Sequence, residues 1–561
     1  MFQSKAYART FDAPSGVERL QSAVNWLLGP EPVEASRPGH LWPRWIFLRA
    51  LGLIYFSAFF SLLFQIKGLL GPNGLLPAAD YLQAITSAVQ GVARFWFAPT
   101  LLWMDSSNQA LMAVCWVGLV ASVLLVFNLW PRAMLAICFL CFLSFVAAAQ
   151  DFAGYQSDGM LLEAGFISLF FAPPGFWPGL GRRNPPSRAS RFLLQWEWFR
   201  IYFESGVAKL RSGDPTWRNF TAMDNYYQNG PLPTWIGWYA QHLPHWYHAA
   251  TVGITLGVEI VLVWMMFLPR RFRIICFWIV TPFEIGIILT ANYTFLNYLV
   301  LALGFLLLDD RFVEWIAPRK LRDIFGGSQS VQAAGGATAV RPGEKEGWRA
   351  ALRARLHPMR MAIAGAFLGL IFYSTTAQLI WMFLPTFPLP MSPVSALEPF
   401  RIANRYGLFA VMTPARLEIE FQGTSDGKTW IPYPFRYKPQ DVKKAPGIYA
   451  PYQPRFDWNL WFASLGAWRE NRFVVWTEER LIKGEPDVLN LFAGDPFAGG
   501  PPPVAVRAVI YQYWFTDEKT KRETGDWWRR ELLGPYAPAL ERQPDGKIGV
   551  VDLPVARQPQ Q

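Results

Sequence analysis

Nine stretches of this chain are apolar over lengths that approach or reach a bilayer crossing: 46–64, 109–129, 132–149, 159–173, 192–210, 247–268, 272–290, 294–308 and 361–385. About 20 apolar residues in a helix span the hydrocarbon core of a membrane. Backbone N–H and C=O groups find no water there, so such a segment must satisfy them internally, as a helix does. Composition agrees: only 17% of the 561 residues are charged, against about a quarter in a soluble domain. The reading is a polytopic α-helical membrane bundle of about nine spans. A C-terminal, mostly-β, sandwich-like extracytoplasmic domain follows it.

Charge sets the orientation. The net +11 would suit a nucleic-acid partner, but the basic residues flank the apolar runs. Loop 174–191 carries Arg182, Arg183, Arg188 and Arg191, loop 269–273 carries Arg270, Arg271 and Arg273, and loop 309–360 carries many more. Cytoplasmic loops have this bias, so no nucleic-acid partner is expected. With residues 1–45 as a cytoplasmic N-terminal segment, all three basic loops fall inside. Loop 211–246 and residues 386–561 then fall outside. The bundle occupies 46–310, a cytoplasmic loop 311–360, and the last transmembrane helix 361–385. Residues 1–40 are polar and lack a cleavable signal pattern, so the first run reads as an uncleaved anchor. Residues 325–345 are rich in Gly, Ala and Ser and read as a flexible linker.

Beyond residue 400 the periodicity changes. RLEIEFQG (416–423) alternates, placing Leu417, Ile419 and Phe421 on one face and Arg416, Glu418 and Glu420 on the other, the mark of a half-buried strand. An Asp-Gly turn follows in TSDGKTW (424–430). RFVVW (472–476) and VRAVIYQYWFT (506–516) read as further strands.

Charges inside the apolar runs are the exception to be explained. Glu197, Arg200 and Glu204 share one face of the fifth span by i,i+3 and i,i+4 spacing. Asp158 and Glu163 lie at the fourth span, Lys209 ends the fifth, and Glu259 and Glu284 lie in the sixth and seventh. An ionised group at the bilayer centre costs roughly 3 kcal/mol or more unless paired or hydrated. Two readings stand. The charges are ion pairs that keep helices in register, or Glu163, Glu204, Lys209 and Glu284 line a cavity open to the outside. In the second case Lys209, Glu204, Asp158 and Glu163 are the catalytic candidates, with Lys209 as a base.

Other motifs have plainer explanations. The Cys-x-x-Cys of CFLC (138–141) sits mid-span, where an apolar setting leaves thiols inert. All four cysteines lie in apolar runs, which excludes a disulfide-stapled outer domain and a Cys-based zinc site outside the membrane. His242, His245 and His248 sit among Trp and Tyr at a span boundary and read as interfacial residues. Asn219 and Asn292 open sequons. No phosphate loop, nucleophile elbow, metalloprotease or dinucleotide motif is present, and neither a metal nor a cofactor is expected.

Several long segments carry a family resemblance. They are GPNGLLPA (71–78), SDGMLLEAGF (157–166), SGVAKLRSGDPTWRNFTAMDNYYQNGPLPTW (205–235), ANYTFLNYL (291–299), NRYGLFAVMT (404–413), EFQGTSDGKTWIPYPFRYKP (420–439), PRFDWNLWFAS (454–464) and AVIYQYWFT (508–516). Together, over about 45–540, they resemble the lipase maturation factor family. The membrane half, through 46–78 and 157–166, is also distantly similar to horizontally transferred transmembrane domains, which include the vitamin K-dependent carboxylases. The first resemblance implies a non-enzymatic membrane protein that helps secreted clients, lipases among them, to fold and mature. Its outer loop would bind clients through Asp214, Trp217, Arg218, Tyr226, Tyr227 and Trp235, with Trp238 and Tyr239 extending the aromatic surface. The second implies a membrane-embedded enzyme acting on a lipid or small molecule, and a carrier using the charged cavity is a third reading. The ending ARQPQQ, without a retention signal, fits a bacterial inner membrane. A eukaryotic chain of this kind would sit in the endoplasmic reticulum membrane.

Overall fold

The computed structural model describes residues 16–31, 39–317 and 347–554. The linker expected at 325–345 lies outside the described residues.

Each expected span coincides with a helix. They are α1 (Leu41–Leu63), α2 (Asn108–Val126), α3 (Pro131–Val146), α4 (Gln156–Phe171), α5 (Arg188–Arg211), α6 (His245–Phe267), α7 (Arg270–Thr290), α8 (Leu296–Leu307) and α9 (Gly347–Phe383). Local chemistry sets their starts. Ser107 Oγ accepts from Ala110 N at 3.3 Å ahead of α2, and Ser187 Oγ accepts from Ser190 N at 3.2 Å ahead of α5; each satisfies an N–H the helix cannot. Pro131 opens α3, where its missing N–H costs nothing. Among the described residues, five helices are long and apolar enough to cross a membrane: α1, α2, α6, α7 and the Pro358–Phe383 part of α9. The chain is therefore an integral membrane protein. The expected nine spans reduce to these five by length and composition, because α3, α4 and α8 are short and α5 carries buried charges.

Neighbours in sequence pack side by side from α1 to α5, and α8 closes the bundle by packing on α1, α5 and α7. Tyr55, Phe59 and Phe142 fill the centre, with Phe59 and Phe142 edge-to-face at 5.9 Å. Helix α6 is irregular: Gly257–Val261 forms a π turn and Leu262–Phe267 tightens to 3₁₀. Pro282 sits inside α7.

The C-terminal region contains one antiparallel sheet of six strands: β1 (Arg416–Thr424), β2 (Ile431–Pro432), β3 (Ala505–Phe515), β4 (Trp528–Pro535), β5 (Ala539–Arg542) and β6 (Ile548–Asp552). Its order is β2-β1-β3-β5-β6, with β4 also pairing with β3. Strand β3 is long enough to carry β1 along one edge and both β4 and β5 along the other. Register places Glu418 opposite Tyr511 and Ile419 opposite Ile510.

Helices α10 (Arg455–Ser464) and α11 (Phe473–Lys483) pack on β1 and β3. The expected sandwich is thus a sheet backed by helices. The run RFVVW, read as a strand, falls in α11. Its β-branched residues favour a strand locally, but TEERLIK continues the run with helix formers. Phe473, Val474, Thr477, Glu478, Leu481 and Ile482 then bury one helical face. Gly484, at φ +69°, ends the helix in the left-handed conformation that glycine adopts freely.

Candidate functional site

Several buried polar residues of the bundle are claimed by the C-terminal half. After α9 the chain runs back along α5 as an extended segment. Asn404 N donates to Glu163 Oε2 at 3.0 Å, Tyr406 N to Glu204 Oε2 at 2.6 Å, and Leu408 N to Ser205 Oγ at 3.2 Å. Lys209 Nζ donates to Leu408 O at 3.0 Å, and Met412 N to Asp214 Oδ2 at 2.7 Å. Side chains of α4, α5 and the turn after α5 thus replace the partner strand this backbone would otherwise need. Arg200 ties the centre together, with Nη2 on Glu163 and Nη1 on Asn404 O at 2.7 Å. Tyr406 Oη closes the network on Glu163 Oε2 at 2.9 Å.

A second junction lies at the start of α4. Arg455 of α10 grips Asp158 with two hydrogen bonds of 2.8 Å and Phe152 O with a third of 2.6 Å. Both charged groups are fully buried. A third forms at Asn292, which accepts from Tyr449 N and Ala450 N at 2.7 and 3.0 Å and donates to Gly447 O at 2.9 Å. The GPNG turn joins too: Arg480 Nε donates to Gly74 O at 3.1 Å, and Asn108 Nδ2 to Asp487 Oδ2 at 2.9 Å.

The loop 211–246 is held by the sheet. Buried Arg416 donates to the carbonyls of Gln228 (3.0 Å), Gly230 (2.5 Å) and Pro231 (3.0 Å) and pairs with Glu418, which also meets Lys438 at 2.9 Å. The polar face of β1 is therefore not solvated, as its alternation suggests, but buried beneath this loop and Lys438.

The sequence-derived candidates separate accordingly. Asp158, Glu163 and Glu204 are occupied by Arg455, Arg200 and the 404–406 backbone, under the docked segment rather than on an open cavity. Lys209 pairs with Glu259 at 2.7 Å and lies 5.1 Å from the Trp217 ring. Trp217, Tyr227 and Trp238 are buried and Tyr226 is half-buried, so they shape the loop rather than face solvent. Asp214 caps the short helix Pro215–Arg218 through Thr216 N at 2.8 Å. Burial would raise its carboxyl, but hydrogen bonds from Met412 and Thr216 outweigh that and hold it below the ordinary value. Arg218 is exposed, as are Trp235 (44%) and Tyr239 (49%). His245 and His248 both approach Asp224, at 3.0 and 3.2 Å, and no cluster among the described residues is arranged to hold a metal.

A cavity of about 300 Å³ lies among α5, α6 and α7, roofed by Leu408 and Phe409. Lys209, Glu259 and Glu284 line it, as does Tyr202. Glu284 is held by Tyr202 Oη at 2.5 Å and Asn297 Nδ2 at 2.7 Å. The joining roles of Arg416, Arg455, Asn404 and Asn292 escaped the sequence reading, which met Arg416 only as a strand face and Asn292 only as a sequon, although all but Arg416 stand inside the segments quoted for the family resemblance.

These features define a class: an integral membrane protein whose helical bundle is fastened by buried polar junctions to a C-terminal sheet-and-helix region. The lipase maturation factor transmembrane domain matches residues 42–315, and the lipase maturation factor C-terminal domain matches 402–538. Lipase maturation factor 1 of Bos taurus is 30% identical over 532 residues, covering 90% of each chain. Lipase maturation factor 2 of Gallus gallus is 30% identical over 583 residues, 89% of this chain and 81% of its own. The human lipase maturation factor 1 is 29% identical over 95% of both chains. The chain belongs to the lipase maturation factor family. No solved structure matches it. The carboxylase-type reading finds no support among these relatives.

Proposed function

We propose that the chain is a membrane-anchored maturation factor for exported lipases. Its N-terminus would be cytoplasmic, with loop 211–246 and residues 386–561 on the far side of the membrane. Family membership over nine-tenths of the chain is the observation that carries this reading. Basic loops at 174–191, 269–273 and 309–360 favour the orientation. The compartment is the inner membrane in a bacterium and the endoplasmic reticulum membrane in a eukaryote. The division into 1–45, 46–310, 311–360, 361–385 and 386–561 follows from the same orientation, with the outer parts working as one body.

Client contact is assigned to the exposed part of the outer loop. Trp235, Tyr239 and Arg218 present amphipathic surface to a client that has not yet buried its apolar patches. Asp214 caps the short helix that carries Arg218, and Trp217, Tyr226 and Tyr227 pack within the fold of the loop. Asp158, Glu163, Glu204 and Lys209 have partners that suit a joining role, and the activity needs no covalent step.

The test is secretion of an exported lipase in cells that lack a factor of their own. Restoring the chain should raise secreted lipase activity. Trp235→Ser with Tyr239→Ser should lower it while the membrane level of the protein is unchanged. Lipase secretion indifferent to the chain would remove lipases as clients. Indifference to the two substitutions alone would move the client surface elsewhere.

A further inference from the structure

The junction at Ser205, Lys209 and Leu408 borders the cavity among α5, α6 and α7 but leaves its interior open. Helices α6 and α7 pack closely near their connecting turn, through 262–267, and are splayed from one another beyond it. The cavity occupies that splay. Its mouth carries Ile254, which is 57% exposed, together with Pro282 and Gly286, on the outward faces of two helices apolar enough to cross a membrane. The opening is therefore lateral, towards lipid. The walls are mainly apolar, with Ile201, Phe283, Ile287 and Val300 among them.

The inner end is polar. The π turn of α6 holds Glu259, and such turns recur at functional sites. Glu259 is 7% exposed; Lys209 donates to its Oε1, while its Oε2 has no hydrogen-bond partner among the described residues. A buried acceptor left unpaired costs about 1–3 kcal/mol. Two carboxylates, Glu259 and Glu284, face this end against one ammonium, Lys209. That balance repels an anionic head and suits a neutral hydrogen-bond donor.

We propose that the cavity binds a neutral, hydroxyl-headed amphiphile drawn sideways from the bilayer. The tail lies between α6 and α7, and the hydroxyl donates to the Glu259 carboxylate. The site goes beyond the maturation role and stands whether or not the clients are lipases.

The probe is a long-chain alcohol bearing a photoactivatable diazirine, added to the full-length protein in nanodiscs. Crosslinks should concentrate on peptides containing Thr251–Glu259 and Pro282–Thr290, well above those on α2, where Trp116 and Val120 also face outward. A side chain begun at Gly286 meets nothing within 4 Å. Gly286→Phe should therefore fold, block the mouth and bring labelling down to the α2 level. Glu259→Gln removes the charged acceptor and should weaken labelling about tenfold. Should that variant fail to insert, Gly286→Phe decides alone. The same chain carrying a carboxylate head should label less than the alcohol. Labelling no higher than α2, or unchanged in Gly286→Phe, would overturn the site, and equal labelling by the carboxylate probe would overturn the hydroxyl assignment.

Discussion

The Arg455–Asp158 pair is the sharpest test that buried charges fasten the two halves. Asp158→Asn leaves the Arg455 guanidinium without its counter-charge, and Arg455→Met leaves the Asp158 carboxylate alone, each in a site closed to solvent. Removing one member of a buried pair costs about 3–5 kcal/mol, mainly because the survivor is buried unpaired. At about 1.4 kcal/mol per decade, either single change should raise the opening of this junction roughly 100- to 4,000-fold. The double variant buries no charge, and replacing a whole pair is often close to neutral. A residual of about 1 kcal/mol should remain, because Phe152 O loses its donor. Hydrogen exchange of the α10 amides, in protein held in nanodiscs, reads that opening free energy for all four proteins. The double should be far more protected than the sum of the singles predicts, with a coupling of at least about 2 kcal/mol. Singles that cost under about 1 kcal/mol each, or a double that costs their sum, would refute the reasoning.

Three further outcomes follow from particular contacts. A Cβ at Gly165 would stand 2.0 Å from Tyr55 Oη inside the bundle, so Gly165→Ala should cost about 1–3 kcal/mol by overpacking; adding Tyr55→Phe should recover part of it in a thermal unfolding assay, although Tyr55 then loses its bond to Leu161 O. Burial pushes the Asp457 carboxyl up to about 6 from 3.8, against the N–H groups of Lys438 and Tyr437 and the Lys438 charge. A carboxyl raised in the folded state contributes stability that is full below its unfolded value and lost as pH rises through the folded one. Over pH 3–8 the loss is about 3 kcal/mol, and Asp457→Asn should flatten that part of a melting-temperature profile; a slope equal to that of the parent protein would contradict it. Expressed through a eukaryotic secretory pathway, the chain should gain one glycan, at exposed Asn219, and none at Asn292, which is 2% exposed and bonded to 447–450. Asn219→Gln should abolish the mass shift, and a glycan surviving that change would show that the Asn292 junction opens.

The helices were legible because hydrophobic length is a one-dimensional property: every apolar run became a helix close to its expected bounds, except that α9 already begins at Gly347, well ahead of the expected 361. What failed was periodicity read without knowledge of the neighbours. Alternation in 416–423 marks a strand correctly, but Arg416, Glu418 and Glu420 look like a solvent face until the loop at 228–231 and Lys438 are known to cover them. The run 472–476 has strand propensity and a helical fate, because a buried face over 473–482 outweighs a local preference. The charges inside the apolar runs were visible one by one. Their partners Asn404, Tyr406 and Arg455 lie some 200 to 300 residues away, a distance no local pattern spans.

The buried charges also explain why the resembling segments are scattered along the chain. GPNGLLPA meets Arg480, SDGMLLEAGF meets Arg455 and 404–406, and ANYTFLNYL meets 447–450. Each motif of the membrane half is one side of a junction whose other side lies in the C-terminal half. Apolar packing alone would join the halves at least as strongly, since a buried pair seldom beats its hydrophobic replacement. It would not fix their register, because an apolar surface can slide at little cost, whereas a buried carboxylate displaced from its guanidinium cannot. The polar lattice along α5 is thus best understood as an aligning device. It sets loop 211–246, and with it Trp235 and Tyr239, at one position relative to the sheet.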